Sequence, residues 1–343
     1  MARIIISISL IIIGITVYFL LKPKVHKLKD KVKGSENTFY VPVKSKTGKW
    51  GYKNLNGNWT IQPKFDDAWE YYNGLASASV DGKYYGLINT NGEWVVAPEY
   101  ESIGNYNNGY YLASIKENDY LIDEKGKVLI KADGFDISWN LFSEGLLSIH
   151  DYSKGFGFKD VNDNWIIEPK YVFSSDFSEG LASASMDGKK RIYIDKKGKT
   201  VLSLSDEIDY AGNFNAGLAP ARINKKYGFI DKKGIFVIPP QFDNASDFSE
   251  GYAVVFIGEK CFFINNRAEI QTNLKTYEDA LKFENGYALV HENGKAGYID
   301  KTGTVVIPIK YDTVFALNKG FCRVLLNGKE FYVNVGGKTF IDN

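Results

Sequence analysis

Beyond residue 37 the apolar residues come in short runs that Gly, Asn and Asp separate. One such run, Leu75–Val80, ends at Asp81-Gly82, and another ends at Asn293-Gly294. Short runs bounded in this way are typical of β-strands, and these dipeptides suit two-residue hairpin turns with positive φ at both central residues. Nothing in residues 38–343 keeps a helical period over the ten or so residues that a helix requires. The pattern predicts an all-β domain over 38–343.

Two landmarks recur along this domain at a nearly constant spacing of 34 to 37 residues. The first closes an Asp/Asn-rich turn: Gly57, Gly92, Gly126, Gly198, Gly234, Gly303 and Gly337, with Asp163 and Ala268 in the same place in two further units. The second opens an apolar run: Gly74, Gly109, Gly145, Gly180, Gly217, Gly251, Gly286 and Gly320. Because two independent landmarks share one period, the sequence predicts nine tandem units of about 35 residues.

Each unit is expected to contain three strands. The third is a short apolar run such as Phe236–Ile238, and a proline follows it in five units: Pro63, Pro98, Pro169, Pro239 and Pro308. Since proline has no N–H to donate, we expect it to end the hydrogen-bonded ladder. The connector that follows, such as residues 241–248, has room for a fourth and shorter strand.

Nine such units can stack as an open array or close as a ring. A propeller usually closes about four to eight blades of four strands, so nine units of this length are many and short for it. An open array accepts any number of units. We therefore expect an open β-superhelix or solenoid, with a β-propeller as the alternative. A half-unit at each end of the domain would then supply the strand exchange that closes the ring.

The repeated motif resembles the WG repeat (KWG-type) family of bacteria. It combines Lys49-Trp50-Gly51-Tyr52 with the turn, a Pro-x-aromatic-Asp step and a Glu-Gly-Leu-Ala opening, over roughly residues 38–343. The glycine is kept in Gly86, Gly157, Gly228 and Gly297, whereas four units have Tyr120, Ile192, Phe262 and Phe331 in its place. The resemblance implies an all-β repeat, and it implies no common reaction or catalytic residue.

The N-terminal segment has a different character, because Ile4 to Leu21 carries no charge. Eighteen helical residues span about 27 Å, enough to cross a bilayer core. The run ends without a cleavage site of small residues, so we expect an uncleaved single-pass transmembrane anchor over 4–21, after a tail at 1–3. Residues 22–37 form a basic linker with six lysines. The side of the membrane on which the repeats lie is uncertain, although this positive charge favours the cytoplasm.

Charge and motif content exclude several functional classes. The net charge of +1, from 42 basic and 41 acidic residues, argues against a nucleic-acid surface. The three histidines His26, His150 and His291 and the two cysteines Cys261 and Cys322 have no metal-ligand spacing, so we expect no metal and no cofactor. Aspartates recur at turn positions, and no nucleophile elbow or phosphate loop is present. We expect no enzyme, and a hydrolase is the last-ranked reading.

Aromatic residues in three consecutive connectors are the remaining candidate for a site. They are Trp69, Tyr71, Tyr72, Tyr106, Tyr110, Tyr111, Trp139 and Phe142. On one surface they would form a binding face of the kind that aromatic residues provide at interfaces. Alternatively they pack beneath the connectors. The sequence therefore predicts a membrane-anchored, non-enzymatic binding or scaffolding array for a protein partner, with a cell-envelope glycan as the alternative ligand.

Overall fold

The computed structural model describes residues 40–340 apart from 55, 108 and 272, and it confirms an all-β repeat. Nine sheets follow one another along the chain as nine blades. Blade 1 contains β1 (Val41–Lys44), β2 (Trp50–Lys53) and β3 (Trp59–Phe65). Blade 2 contains β4 (Asp67–Ala68), β5 (Leu75–Ser79), β6 (Tyr85–Asn89) and β7 (Trp94–Tyr100). Blade 3 contains β8 (Ser102–Asn107), β9 (Tyr110–Ile115), β10 (Asn118–Asp123) and β11 (Val128–Lys131).

The next three blades keep the same up-and-down order. Blade 4 contains β12 (Phe135–Ser143), β13 (Leu146–Asp151), β14 (Gly155–Lys159) and β15 (Trp165–Tyr171). Blade 5 contains β16 (Phe173–Ser174), β17 (Leu181–Ser185), β18 (Ile192–Asp195) and β19 (Thr200–Ser203). Blade 6 contains β20 (Ile208–Ala211), β21 (Ala219–Ile223), β22 (Lys226–Ile230) and β23 (Phe236–Phe242).

The last three blades complete the set. Blade 7 contains β24 (Asn244–Ala245), β25 (Ala253–Ile257) and β26 (Lys260–Ile264), and two isolated bridges, from Ile264 to Ile270 and from Cys261 to Tyr277, stand in for a fourth strand. Blade 8 contains β27 (Asp279–Ala280), β28 (Tyr287–Glu292), β29 (Lys295–Asp300) and β30 (Val305–Tyr311). Blade 9 contains β31 (Thr313–Val314), β32 (Phe321–Leu326), β33 (Lys329–Asn334) and β34 (Thr339–Phe340).

The blades close into a ring, because blade 9 packs against blade 1. Val41 and Val43 of blade 1 share a buried cluster with Tyr332 and Phe340 of blade 9. The protein is therefore a nine-bladed β-propeller, and the expected open superhelix of three-stranded units is wrong. Within the described chain each blade is one continuous stretch of sequence, so packing between blades closes the ring without strand exchange.

Two features allow nine short units to close. The first strand of five blades has only two residues, so it fits within the connector and a 35-residue unit can hold four strands. Small residues line the first two strands of many blades: Ala68, Ala78, Ala182, Ala184, Ala219 and Ala221, all buried. Because Ala presents little more than its Cβ, neighbouring sheets can approach closely near the axis, and more blades fit around it.

The Trp-Gly glycine is required by a bulge in the outermost strand. In blade 1, Trp50 pairs with Phe65 and Tyr52 pairs with Ile61, so the single residue Gly51 lies opposite three residues that include Pro63. A Cβ on Gly51 would lie 2.6 Å from the Ile61 carbonyl oxygen. No Cβ fits at that distance, and the glycine is needed for space because its φ is not positive.

This glycine and the proline occur together across the ring. Five blades have the glycine, and in each of them the outermost strand is seven residues long and contains proline: β3, β7, β15, β23 and β30. In the other four a bulky residue takes its place, and the described outer strand is four residues or fewer. The proline therefore lies within an exposed edge strand and does not end it. An N–H on the outer edge of a sheet has no hydrogen-bond partner in a neighbouring strand, so proline loses no ladder hydrogen bond there.

The Glu-Gly landmark joins neighbouring blades. Glu250 takes φ +52°, and its carboxylate accepts a hydrogen bond from the N–H of Gly286 in the next blade at 3.0 Å. Lys301, from a turn of that blade, forms an ion pair with Glu250 at 2.9 Å. Glu144 and Glu179 repeat the arrangement with Lys196 and Lys232. In these three units the residue before the landmark glycine thus connects its blade to the next.

The two kinds of hairpin dipeptide differ. Asn293-Gly294 has positive φ at both central residues, as expected, with +53° and +68°. In Asp81-Gly82 only the glycine has a positive φ. There the Asp81 carboxylate accepts backbone N–H groups of Lys83 and Tyr84 at 2.8 Å, so the side chain shapes the turn.

The expected single-pass membrane protein requires correction. Over the part of the chain that the structure describes, every regular element is a strand, and no helix is long and apolar enough to cross a membrane. The tail at 1–3, the anchor at 4–21 and the basic linker at 22–37 lie outside the described residues. The described residues therefore do not support a single-pass membrane protein or the favoured cytoplasmic side.

Candidate functional site

The ring closure differs from the other junctions between blades. Blade 1 has no described counterpart of the short first strand, and side chains of blades 2 and 9 meet there instead. The Tyr332 hydroxyl donates a hydrogen bond to Glu70 Oε1 at 2.5 Å, and Asn318 Nδ2 donates to the Tyr71 carbonyl at 3.1 Å. The Arg323 guanidinium lies 5.2 Å from the Trp69 ring centroid. Contacts between side chains thus take the place of a strand.

A cavity of about 650 Å³ opens beside these contacts, and we call it the seam cavity. Residues of blades 2, 3 and 9 line it together: Trp69, Glu70, Tyr72, Glu101, Phe315 and Arg323 among them. These residues lie in or beside the first strands of their blades. First strands of three blades that are not all neighbours can share one cavity only near the axis of the ring. A volume of this size is within the range of small-ligand and peptide side-chain sites.

Two of the aromatic residues predicted to form a binding face line this cavity and are exposed. Trp69 is 39% exposed and Tyr72 is 38% exposed. Tyr111 also lines the cavity, although it is buried. Because Trp69 and Tyr72 are exposed while Tyr111 is buried, the first two residues provide the accessible apolar surface of the site.

Other members of the predicted set are part of the core. Tyr71 is only 7% exposed, and its ring lies 4.8 Å from that of Tyr52. Phe142 is buried against Tyr110, with 4.8 Å between the ring centroids. The side chains of Tyr106 and Trp139 lie outside the described part of the structure. The structure therefore brings Trp69, Tyr72 and Tyr111 to one cavity and places Tyr71, Tyr110 and Phe142 in the packing.

Sequence reasoning missed the polar residues of the cavity. Ser77 is 8% exposed, and its Oγ has no hydrogen-bond partner among the described residues. Arg323 occupies the position of Ser77 in blade 9, because each lies opposite the same residue of its hairpin, Tyr332 or Leu87. Blades 6 and 7 have Pro220 and Val254 at this position. An arginine at a position otherwise small or apolar was the available signal.

Arg323 is held by aromatic rings and one carboxylate. Its guanidinium lies 4.0 Å from the Phe315 centroid, and Nη1 is 3.3 Å from Glu330 Oε2. The charge of Arg323 is therefore balanced within blade 9. No Lys, Arg or His of the described residues forms an ion pair with Glu70 or Glu101, so the carboxylates of the cavity are not neutralised in this way.

Burial and the negative charge of Glu70 raise the pKa of the tyrosines around this carboxylate. Burial raises the pKa of Tyr72, and the Glu70 carboxylate raises it further. Burial raises the pKa of Tyr332 far above its usual value, and the negative charge of Glu70 raises it further. The Glu70 carboxylate also accepts a hydrogen bond from the Tyr332 hydroxyl. On the blade 2 wall, burial and the hydrogen bond to Asp67 raise the pKa of Tyr85 to about 12. These hydroxyls stay protonated at neutral pH, and those of Tyr332 and Tyr85 donate hydrogen bonds to Glu70 and Asp67.

Metal and thiol chemistry find no support at other places in the described chain. No group of three or more His, Cys, Asp or Glu residues there could hold a metal ion. His150 stacks on Phe156 with 4.5 Å between the ring centroids. Cys261 and Cys322 are buried, and burial raises the pKa of their thiols to about 11 and about 12. Both are small core residues.

Comparison with known proteins gives a family match and a set of similar folds. The model of the family described as WG containing repeat matches residues 50–84, 85–120, 156–189, 193–227, 227–261 and 297–329, more than half of the 343 residues. No curated protein matches the chain.

Solved structures resemble the chain in fold. The crystal structure of a eukaryotic initiation factor is 10% identical, with a TM-score of 0.55, over 87% of this chain and 94% of that one. BamB from Moraxella catarrhalis is 11% identical, with a TM-score of 0.45, over 76% and 93%. Hsv2 from Kluyveromyces lactis is 11% identical, with a TM-score of 0.40, over 73% and 89%. At 10% identity the likeness to the initiation factor concerns the fold alone.

Proposed function

The chain belongs to the WG containing repeat family, and from its closed ring we propose that it is a non-enzymatic binding domain that holds a partner protein at the seam cavity. The observation that carries the proposal is the exposure of Trp69 and Tyr72 in a cavity shared by three blades. Trp, Tyr and Arg are the residues most enriched where binding energy is concentrated at protein interfaces, and all three line this site.

The composition of the cavity supports binding in preference to nucleophilic catalysis. Nucleophilic catalysis needs a nucleophile beside a base that activates it. The described lining residues include no His, Cys or Lys, and Ser77 has no base beside its hydroxyl. We expect a bound ligand to be recovered chemically unchanged, which mass spectrometry of the eluted ligand tests.

Site-specific photocrosslinking tests the protein partner. A photoreactive phenylalanine derivative replaces Tyr72 in the full chain, and the matched control replaces Tyr152, which is 66% exposed on blade 4. Protein adducts from position 72 that are absent from position 152, and that the added change Trp69→Ala removes, support the proposal. Equal adducts at both positions, or none at position 72, contradict it. The variants must keep the thermal unfolding midpoint of the parent chain within a few degrees.

A glycan is the second candidate, and one observation favours it. The exposed rings of Trp69 and Tyr72 lie in the same cavity as the unpartnered Ser77 hydroxyl, and a sugar offers both apolar ring faces and hydroxyls. Soluble cell-envelope oligosaccharides that quench tryptophan fluorescence of the parent chain, but not of Trp69→Leu, would place the glycan first. Trp94, exposed to 37% on the outer strand of blade 2, provides the matched control Trp94→Leu.

A further inference from the structure

The charges of the seam cavity are unequal. Glu70 and Glu101 line it with no ion-pair partner in the described chain, whereas the one cation of the wall, Arg323, is already paired with Glu330. The pKa of Lys83 is raised mainly by its hydrogen bond to Tyr84 and less by Glu101, and Lys83 and Glu101 form no ion pair. A ligand in the cavity therefore meets excess negative charge, which disfavours an acidic group and favours a cation.

The aromatic rings of the cavity have the same preference. The face of an aromatic ring carries negative potential, so it attracts an ammonium or guanidinium group, most strongly for Trp. Trp69 already lies beside the guanidinium of Arg323 and still exposes 39% of its surface. Tyr72 exposes 38% of its surface in the same cavity, and the carboxylate of Glu70 lies between them in sequence. Aromatic rings near a carboxylate that has no ion-pair partner are the elements of a cation site.

A buried hydroxyl supplies an independent observation. Ser77 is a lining residue of the cavity and is only 8% exposed, and its buried Oγ atom lacks any hydrogen-bond partner in the described chain. Leaving a buried polar atom unpaired costs free energy, which a ligand that reaches the atom would recover. The hydroxyl oxygen can accept a hydrogen bond from an ammonium group.

Resting on the proposed binding function, we propose that the seam cavity receives a lysine or arginine side chain of the partner protein. Trp69 and Tyr72 face the cation, Glu70 and Glu101 neutralise it, and Ser77 accepts one of its hydrogen bonds. Arg323 is a wall residue that stacks against Phe315 and Trp69 and keeps the ring closed at this point.

The probe is a fluorescein-labelled heptapeptide of Gly and Ser with lysine at three alternate positions, titrated into the full chain by fluorescence anisotropy. Two peptides of the same length carry Nε-acetyl-lysine or glutamate at the three positions. Acetylation removes the charge and keeps the alkyl chain, so we expect binding at least about tenfold weaker for that peptide. The glutamate peptide should not bind, and affinity of the lysine peptide should fall as salt rises from 50 to 500 mM, about a threefold change in Debye length.

Variants of the cavity locate the interaction. Glu70→Gln keeps an oxygen that can accept the Tyr332 hydrogen bond and removes the charge, and we expect it to weaken the lysine peptide about tenfold. Glu99→Gln makes the same change in net charge on an exposed outer position of the same blade and should have no effect. Circular dichroism melts confirm that both variants are folded.

Several results would overturn the inference. Equal binding of the lysine and acetyl-lysine peptides would show that charge is not recognised. Equal effects of Glu70→Gln and Glu99→Gln would place any attraction outside the cavity. Preference for the glutamate peptide would make Arg323 the anchor and reverse the sign. Absence of binding by all three peptides at millimolar concentration also refutes it, while crosslinking from position 72 decides the protein-binding proposal separately.

Discussion

Replacing Gly297 by alanine is the sharpest test of the link between the repeat motif and the fold. In blade 8 a Cβ at this position would lie 2.6 Å from the Ile307 carbonyl oxygen and 2.8 Å from the Ile309 Cα. Both are backbone atoms of β30, so no side chain can rotate away, and the strand must move. Forcing atoms into a packed position costs about 1–3 kcal/mol. Alanine also restricts the unfolded chain, which offsets about 0.4–1 kcal/mol.

The expected net loss for Gly297→Ala is therefore about 0–2.6 kcal/mol, centred on about 1.3 kcal/mol and equivalent to a fall of up to roughly 4 °C in the unfolding midpoint of a domain of this size. Because nine blades need not unfold as one unit, hydrogen exchange adds a local measurement. The amides of β29 and β30 should exchange faster than in the parent chain, and amides of distant blades should not change.

Gly104 provides the matched control for this substitution. It has no positive φ, and a Cβ built on it meets no atom within 4 Å. Gly104→Ala should therefore leave the midpoint unchanged or raise it slightly, by at most about 1 kcal/mol of stability. If Gly297→Ala were no less stable than Gly104→Ala, the steric account of the Trp-Gly glycine would be refuted.

Two further predictions concern the contacts between blades. Glu250→Gln removes the ion pair with Lys301, which together with the Gly286 N–H holds the pKa of Glu250 below its usual value of 4.5. The variant should therefore be less stable than the parent chain at pH 7, by at most about 1 kcal/mol. This difference should shrink as the pH falls below 4.5, because the stability from a depressed pKa is lost when the carboxylate is protonated in the folded state. A difference that grows on acidification would contradict this. Tyr332→Phe removes a buried hydroxyl that donates a hydrogen bond to the Glu70 carboxylate, and it should lower the free energy of unfolding by about 1–3 kcal/mol. The loss should exceed that of Tyr298→Phe, because the Tyr298 hydroxyl lies 3.2 Å from a neutral carbonyl oxygen. Equal unfolding midpoints of the two variants would contradict the role of Tyr332 at the ring closure.

The repeat, its period and its strands follow from the sequence because each depends on local rules. Turn glycines such as Gly234 and apolar runs such as Phe236–Ile238 report on residues a few positions away. Ring closure does not follow from such local rules, because it depends on how closely neighbouring sheets approach one another. Buried small residues such as Ala68 and Ala78 control that distance. Counting units against typical propellers therefore gave the wrong architecture.

Only part of the candidate site could be predicted from the sequence, for a related reason. Tyr71, Tyr106 and Phe142 stand three residues before a landmark glycine, as do four phenylalanines of later units: Phe177, Phe214, Phe248 and Phe283. A position that is aromatic in most units belongs to the repeated packing, and the described members are buried. Trp69 and Tyr72 do not share it, which is why they remain exposed. The contribution of Arg323, which is 254 residues from Trp69, required the closed ring.

Distance measurement across the ring closure tests the central claim most directly. Spin labels on Ser102→Cys in blade 3 and Ala316→Cys in blade 9 occupy two exposed positions that line the seam cavity, and the buried native thiols, with pKa values raised to about 11 and about 12, should stay unlabelled. For a closed nine-bladed ring, double electron–electron resonance should give a main distance below about 30 Å, the width of one such cavity plus two label arms. An open array would separate these positions by six sheet spacings of about 10 Å, or about 60 Å. A main distance near 60 Å would contradict the propeller and with it the seam cavity.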